Sequence, residues 1–321
     1  MERTTPEVIL TDFEKDIVEG LTDFPKHLSS KYFYDAIGDA LFQDIMEMPS
    51  YYLTRAEHDI LKAHKKEIVA LFKNTGPFDL VELGAGDGKK TKVLLRELSD
   101  QWCDFTYVPI DISENSLKKL TRSLHHEMPN VAVDGFQGTY FNALKDLHQR
   151  DQKRKVILFL GSNIGNLAHE KAIAFLKGIR ELMLPKDILL IGFDQKKNPQ
   201  VILDAYNDQE GITAAFNKNI LRRINRETDG DFDIHQFLHW EVYDPENGTA
   251  KSYLVSKIAQ HVHLKKLRLE IYFKPWETIH TEVSQKYDDD MVNWLGKEAG
   301  LRIKTSFQNA NGAFKSYVFS L

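Results

Sequence analysis

The stretch VELGAGDGKKT, residues 81 to 91, constrains this chain more than any other. An apolar run ends in Glu82, Gly84, Gly86 and Gly88 follow at alternate positions, and the segment then turns cationic with Lys89 and Lys90. The pattern predicts a buried strand entering a tight turn and then a helix. Glycine tolerates positive φ and has no Cβ to hold a ligand away from the backbone. The next apolar segment, FTYVPID, ends in Asp111. An acid about 20 to 30 residues past such a turn is where doubly wound folds place a carboxylate for a ribose hydroxyl. The turn therefore predicts a nucleoside site.

Spacing narrows the choice. A dinucleotide fingerprint needs glycine at its first, third and sixth positions, and counting from Gly84 the sixth is Lys89. A phosphate-binding loop of the form G-x-x-x-x-G-K-[ST] would end at Gly88 and Lys89, which leaves Leu83 where its first glycine belongs and Lys90 where its hydroxyl belongs. What survives is E-x-G-x-G-x-G. This resembles the first motif of class I S-adenosylmethionine-dependent methyltransferases, in which acid and glycines suit a cationic sulfonium ligand without phosphate.

From Phe78 to about Asp194 short apolar segments alternate with amphipathic helical ones, the pattern of a parallel α/β sheet. Strands are expected at 78 to 83, 105 to 111, 130 to 136, 155 to 160 and 187 to 194, with helices near 89 to 99, 113 to 128 and 168 to 183. Two regions break the alternation. Residues 1 to about 56 read as helices interrupted by Pro25 and Pro49, with aromatic clusters at Tyr32 to Tyr34 and at Tyr51 and Tyr52. Residues 196 to about 284 start helical around Ala205 to Tyr206 and Ile212 to Ile224, then become strands flanking Asn247-Gly248, a type I′ hairpin signal. A helix near 288 to 299 and strands at 301 to 308 and 314 to 320 would complete the sheet as an antiparallel pair. The expected organisation is a class I methyltransferase-like, Rossmann-like α/β sheet domain of residues 57–195 and 285–321. Residues 1–56 and 196–284 form a discontinuous α+β substrate or lid domain.

Composition excludes several classes. Forty-two Lys and Arg against 47 Asp and Glu give a formal charge of -5, and there is no long basic run to attract a polyanion. Nucleic acid is therefore not an expected partner. A lone Cys103 rules out an internal disulfide. The first residues carry no apolar secretory core, and no apolar run approaches the roughly 20 residues of a membrane span. A cytoplasmic monomer acting on a small molecule, without membrane or nucleic-acid partner, is expected.

Methyl transfer from a sulfonium is an in-line displacement, so the enzyme must position a nucleophile with a free lone pair. The strand VILFLG runs into SNIGNL, which brings Gly161, Gly165 and the amides of Asn163 and Asn166 to the carboxyl end of the sheet. An amide can donate to a carboxylate or accept from an amine; such a loop can also merely satisfy its own backbone. In the alternating TEVSQ, Glu282 and Ser284 project to one face of an extended chain, suited to reading a ring N–H or to lying on a solvated edge. Tyr34, Tyr51, Tyr52 and Tyr206 are candidate polar contacts, since a buried phenol usually needs a partner. His235 and His239 are spaced as in a zinc helix, but Gln236 stands where the glutamate of H-E-x-x-H belongs and no third ligand is evident. No metal is expected.

Taken together, KYFYDAIGDALFQDI with PSYYLTRAE (31 to 57), VELGAGDGKKT, FLGSNIGNL (159 to 167), DAYND with GITAAFNKNIL (204 to 221) and TEVSQKY (281 to 287) resemble one family. It is the histidine-specific Nα-methyltransferases, which make hercynine on the way to ergothioneine. The resemblance implies S-adenosylmethionine as cofactor and three successive methyl transfers to the α-amino group. It implies that Asn166 and Tyr206 hold the substrate carboxylate, that Glu282 and Ser284 face the imidazole, and that Phe42 lines the pocket. Tyr34 and Tyr51 would supply catalytic phenols that relay the proton. On the cofactor side it implies Glu82, Gly84, Gly86, Gly88, Lys90 and Asp111, with Thr139 and Tyr140 after the third strand. There the family carries Gly-Asp-Phe and this chain carries Gly138, Thr139 and Tyr140. A pocket-wall methionine of the family aligns with Ser252, which leaves room for another acceptor such as tryptophan. A non-catalytic S-adenosylmethionine-binding protein is the reading from a different class; loss of the amine-handling residues would mark it, and they are present.

Overall fold

The computed structural model describes residues 10–73, 76–150 and 153–321. The chain divides into two compact units. An aromatic unit comprises residues 10–52 with Asn198–Ser284, and a sheet unit comprises Leu53–Lys197 with Gln285–Leu321.

In chain order, the aromatic unit begins with helices α1 (Asp12–Thr22) and α2 (Ala36–Glu47). Thr11 and Glu14 close a reciprocal capping box on α1, satisfying amides that a helix start leaves without partners. Asp35 caps α2 by accepting from the backbone N–H groups of Ile37 and Gly38. The sheet unit opens with the 20-residue helix α3 (Leu53–Phe72). It continues through β1 (Phe78–Leu83), α4 (Thr91–Asp100), β2 (Phe105–Asp111), α5 (Glu114–Glu127), β3 (Ala132–Val133) and β4 (Phe136–Gln137). There follow α6 (Tyr140–Arg150), β5 (Arg154–Phe159), α7 (His169–Leu182) and β6 (Ile188–Asp194). The aromatic unit resumes with α8 (Pro199–Tyr206), α9 (Ile212–Thr228), β7 (Phe237–Asp244), β8 (Thr249–Ser256), β9 (Gln260–Leu264), β10 (Leu269–Phe273) and β11 (Thr278–Gln285). The sheet unit closes with α10 (Asp289–Ala299), β12 (Arg302–Gln308) and β13 (Phe314–Ser320).

The large sheet has the order β12-β13-β6-β5-β1-β2-β3, with β4 also on β2. Strands β6, β5, β1, β2 and β3 run parallel, while β13 is antiparallel to both β6 and β12. Every residue of β1, β5 and β6 is buried, as expected of parallel strands covered on both faces. Alternate residues feed two separate cores. Val81, Ile157 and Leu189 join one with α6, α7 and α10; Leu80, Val156 and Leu190 join the other with α3, α4 and α5. This is the class I methyltransferase α/β architecture, with the closing antiparallel pair where the sequence places it.

Three details depart from the sequence reading. The third strand, expected over 130 to 136, is two two-residue pieces separated by Asp134 and Gly135. Only Ala132–Val133 and Phe136–Gln137 pair with β2, and none of these four residues is buried. Helix α6 was not anticipated, although Thr139 accepts from the Asn142 N–H at its start and Ala143, Leu144 and Leu147 form a buried stripe. The hairpin at Asn247-Gly248 exists, but Asp244 pairs with Thr249 across a four-residue loop. Among the described residues only Gly248 of that loop has positive φ, whereas a type I′ turn needs two such residues.

In the aromatic unit β11, β8 and β7 form one sheet and β10 with β9 a second. The two sequence segments of this unit are tied by Asp35, which also accepts from Asn219 at 2.8 Å and pairs with Arg226 at 2.6 Å. Among the described residues no helix is long and apolar enough to cross a membrane.

Candidate active site

At the carboxyl end of β1 the glycine turn takes the backbone that its composition predicts. Gly84, Gly86 and Gly88 have φ of 75°, 54° and 65°, where a side chain would be strained. Gly84 is restricted twice, because an added Cβ would also lie 2.8 Å from the Tyr140 hydroxyl. Asp111, at the end of β2, accepts from the Gly86 N–H at 3.1 Å with one carboxylate oxygen and from the Ser113 N–H at 2.9 Å with the other. Burial, followed by the Asp111 charge, pushes the Tyr140 phenol up to about 12. Thr139 is exposed and serves as the helix cap described above.

Glu82 stands differently from the sequence reading, which placed it among the groups facing the donor. Its carboxylate is 3 % exposed and accepts from the Thr91 hydroxyl at 2.5 Å and from the Tyr107 hydroxyl. It therefore supports the turn from beneath. Burial raises this carboxyl to about 7 against the lowering effect of those two hydroxyls. Lys90 donates to Glu57, a residue the sequence reading did not single out, and Lys89 lies 3.4 Å from Asp87. Both lysines of the turn are thus ion-paired.

Just beyond β5, two consecutive left-handed residues, Gly161 at φ 81° and Ser162 at φ 57°, lead into a 3-10 turn over Asn163–Asn166. The Asn163 amide nitrogen is 3.7 Å from the Cβ position of Gly84, so this loop meets the glycine turn. Asn166 is exposed at the end of the same loop. It belongs to the sheet unit.

Those residues gather in the aromatic unit. Tyr206, the last residue of α8, and Ser284 on β11 share a hydrogen bond of 2.8 Å between their hydroxyls, both buried. Tyr34, Phe42, Tyr51 and Tyr206 form a chain of edge-on rings at centroid distances of 5.5, 6.3 and 6.3 Å. Phe216 of α9 joins Tyr34 at 5.6 Å and Phe42 at 5.8 Å; it sits within the recognised segment GITAAFNKNIL but carries no polar signal. Tyr34 is 40 % exposed as a residue. Desolvation around its phenol, then the nearby Glu282, Tyr51 and Tyr206, nevertheless raise its pKa well above the ordinary value. Tyr34 is consequently a neutral donor at physiological pH, not a phenolate.

A second layer holds Tyr206 in place. Asn217 donates to His239 Nδ1 at 2.8 Å, so the other ring nitrogen carries the proton and donates to the Tyr206 carbonyl at 2.8 Å. Burial lowers the His239 pKa, which keeps the ring neutral. His235 lies in a 3-10 turn and His239 in β7, so the pair does not share the helix that its spacing suggested. Ser252 is buried and donates to Glu241 at 2.6 Å, while its carbonyl accepts from Thr281 at 3.0 Å, next to Glu282. The hydroxyl at Ser252 thus gives a buried carboxylate of this sheet, Glu241, a partner.

Comparison with known proteins gives the family. A family model for histidine-specific, S-adenosylmethionine-dependent methyltransferases matches residues 13–321. A histidine N-alpha-methyltransferase of Mycolicibacterium smegmatis is 36 % identical over 90 % of this chain and 88 % of its own length. One of Mycobacterium tuberculosis is 34 % identical over 89 % and 88 %. Ergothioneine biosynthesis protein 1 of Schizosaccharomyces pombe is 30 % identical over 91 % of this chain and 39 % of its own.

Proposed function

Because this chain belongs to the histidine-specific, S-adenosylmethionine-dependent methyltransferases, we propose that it methylates the α-amino group of histidine three times, forming hercynine. The observation that carries this reading is the cluster of Tyr34, Phe42, Tyr51, Tyr206, Glu282 and Ser284 in one unit. It combines hydroxyls, a carboxylate and edge-on aromatic rings and suits one kind of ligand, a small zwitterion with a polar ring.

The glycine turn fits the donor. Among the described residues nothing lies within 4 Å of a Cβ added at Gly86, so the backbone there is open to a ligand. Asp111 is a carboxylate acceptor suited to ribose hydroxyls. With Lys89 and Lys90 each balanced by a carboxylate, Asp87 and Glu57, the turn lacks the net positive charge that a di- or triphosphate would need, although an ammonium keeps further donors. Gly84, Gly86, Lys90, Asp111 and Tyr140 are assigned to hold the donor. When bound, S-adenosylmethionine supplies an electrophilic methyl group on a sulfonium.

The chain's own residues then have to orient the acceptor and remove a proton. Glu282 accepts from an imidazole N–H, and the Tyr206–Ser284 pair supplies hydroxyls beside it. An α-amino group has a reference pKa of about 7.7 to 8.0 and must lose its proton to attack. With its raised pKa, Tyr34 cannot act as a standing base; its oxygen accepts the proton leaving the ammonium as its own hydroxyl proton passes on, through the neighbouring Tyr51 phenol, to water. Each added methyl makes the ammonium bulkier and more weakly hydrated, and aromatic faces attract such cations by about 0.5–2 kcal/mol. The ring cluster thus favours carrying the reaction through to the quaternary product. A cytosolic setting is part of the proposal, from the lone Cys103.

Mass spectrometry of reactions with S-adenosylmethionine and a panel of amino acids tests this reading. A gain of three methyl groups on histidine is the expected result. Product from another amino acid with none from histidine overturns it.

A further inference from the structure

The sheet unit contains a carboxylate that neither the glycine motif nor the acceptor cluster includes. Glu57, on the first turns of α3, is wholly buried. One of its oxygens takes both the Lys90 ammonium and, at 2.8 Å, the Gly161 backbone N–H. The other oxygen has no hydrogen-bond partner and rests against Gly192, where an added Cβ would be 2.0 Å away. Burying an ionised carboxylate is costly unless it is paired. Here its two partners are the cation of the glycine turn and Gly161, two residues before the Asn163–Asn166 turn. The Lys90 nitrogen lies 3.5 Å from the Cβ position of Gly161, so turn, loop and carboxylate meet at one point.

We infer that Glu57 is a positioning residue for the amino-acid end of the methyl donor. An ammonium has three donors. Glu57 takes one and fixes the direction of the others, while holding Gly161 so that the loop stays against the turn. A ligand group that benefits must be anionic and compact, which is the α-carboxylate of the donor and not its adenosine. The inference rests on S-adenosylmethionine as donor and is independent of which amino acid accepts the methyl group.

The test uses binding rather than turnover. Calorimetry compares S-adenosylhomocysteine, which keeps the amino-acid end, with 5′-methylthioadenosine, which lacks it. Glu57→Gln is expected to weaken S-adenosylhomocysteine about tenfold, as for a lost hydrogen bond to a charged group, and to leave 5′-methylthioadenosine unchanged. In a Lys90→Met background the same substitution is expected to add nothing, because coupled residues are not additive. Equal weakening of both ligands, no weakening of either, or an additive loss in the Lys90→Met background overturns the inference. If Glu57→Gln does not fold, Glu57→Asp withdraws the carboxylate by one methylene and is read by the same criteria. The amino-acid panel reports separately on the acceptor, so failure of one reading is distinguishable from failure of the other.

Discussion

The two units of this protein recognise their ligands with different materials. The sheet unit presents backbone: three glycines at positive φ, an amide held by Asp111, and lysines already paired with carboxylates. The aromatic unit presents side chains: residues 34, 42, 51, 206, 216 and 284 are hydrogen-bonded or ring-packed to one another, and the Glu282 charge acts on Tyr34. A backbone site depends on local conformation and tolerates little change in type. A side-chain site depends on chemistry, and its specificity can change one residue at a time.

Substitutions in one unit should therefore leave the other unit's ligand alone. The largest effect is expected from Gly84→Val, which forces a branched side chain into φ 75° and against the Tyr140 hydroxyl. Affinity for S-adenosylhomocysteine should fall on the order of 100-fold by calorimetry; an unchanged affinity would break the backbone half of the comparison. Next, Glu282→Ala should lower kcat/KM for histidine roughly 30-fold while leaving S-adenosylhomocysteine affinity intact. If cofactor binding falls equally, the division between units is wrong.

A double Tyr34→Phe, Tyr51→Phe variant tests the relay. It should lower kcat roughly tenfold or more with little change in cofactor affinity, and wild-type turnover would sink the proton-relay role. The last test concerns support of the turn and reads stability, not binding or turnover. Burial raises the Glu82 carboxyl to about 7, above its ordinary value near 4.3. A carboxyl whose folded pKa is raised contributes stability that is full below the unfolded value and is lost as pH rises through about 7. Glu82→Gln removes that slope, so relative to wild type it should gain about 1–3 kcal/mol between pH 5 and pH 8. Chemical denaturation at both values measures it, and a pH-independent difference would contradict the assignment.

The same contrast explains what could be read from the amino-acid sequence. Strands β1, β2, β5 and β6 are legible because they are short apolar runs punctuated by turns, and the glycine spacing declares a conformation directly. The third strand is not, because its two pieces pair with β2 only briefly and remain unburied. The acceptor residues become legible only through whole-chain resemblance, since nothing local links Tyr206 to Ser284. Glu57 was missed for a related reason. It belongs to LTRAEHDILKAHKKEIVALF, where a charged residue reads as one of many on a solvated face. Its burial is created by Lys90, Gly161 and Gly192, far away in sequence. Ser252 is legible as a departure, but its partner Glu241 is not, because only the pairing of β7 with β8 brings them together.

Asp35 has one more consequence, for the order in which the molecule assembles. Its ion pair with Arg226 joins residues 191 positions apart, so the aromatic unit must close a very long loop before its two segments meet. The entropic cost of closure grows with loop length, and contacts distant in sequence form late. Strands β1 to β6 of the sheet unit all lie between Phe78 and Asp194 and face no such delay. The topology thus makes the acceptor cluster depend on the segment after Asn198 returning to the one before Tyr52, whereas β1 to β6 pair within one continuous segment.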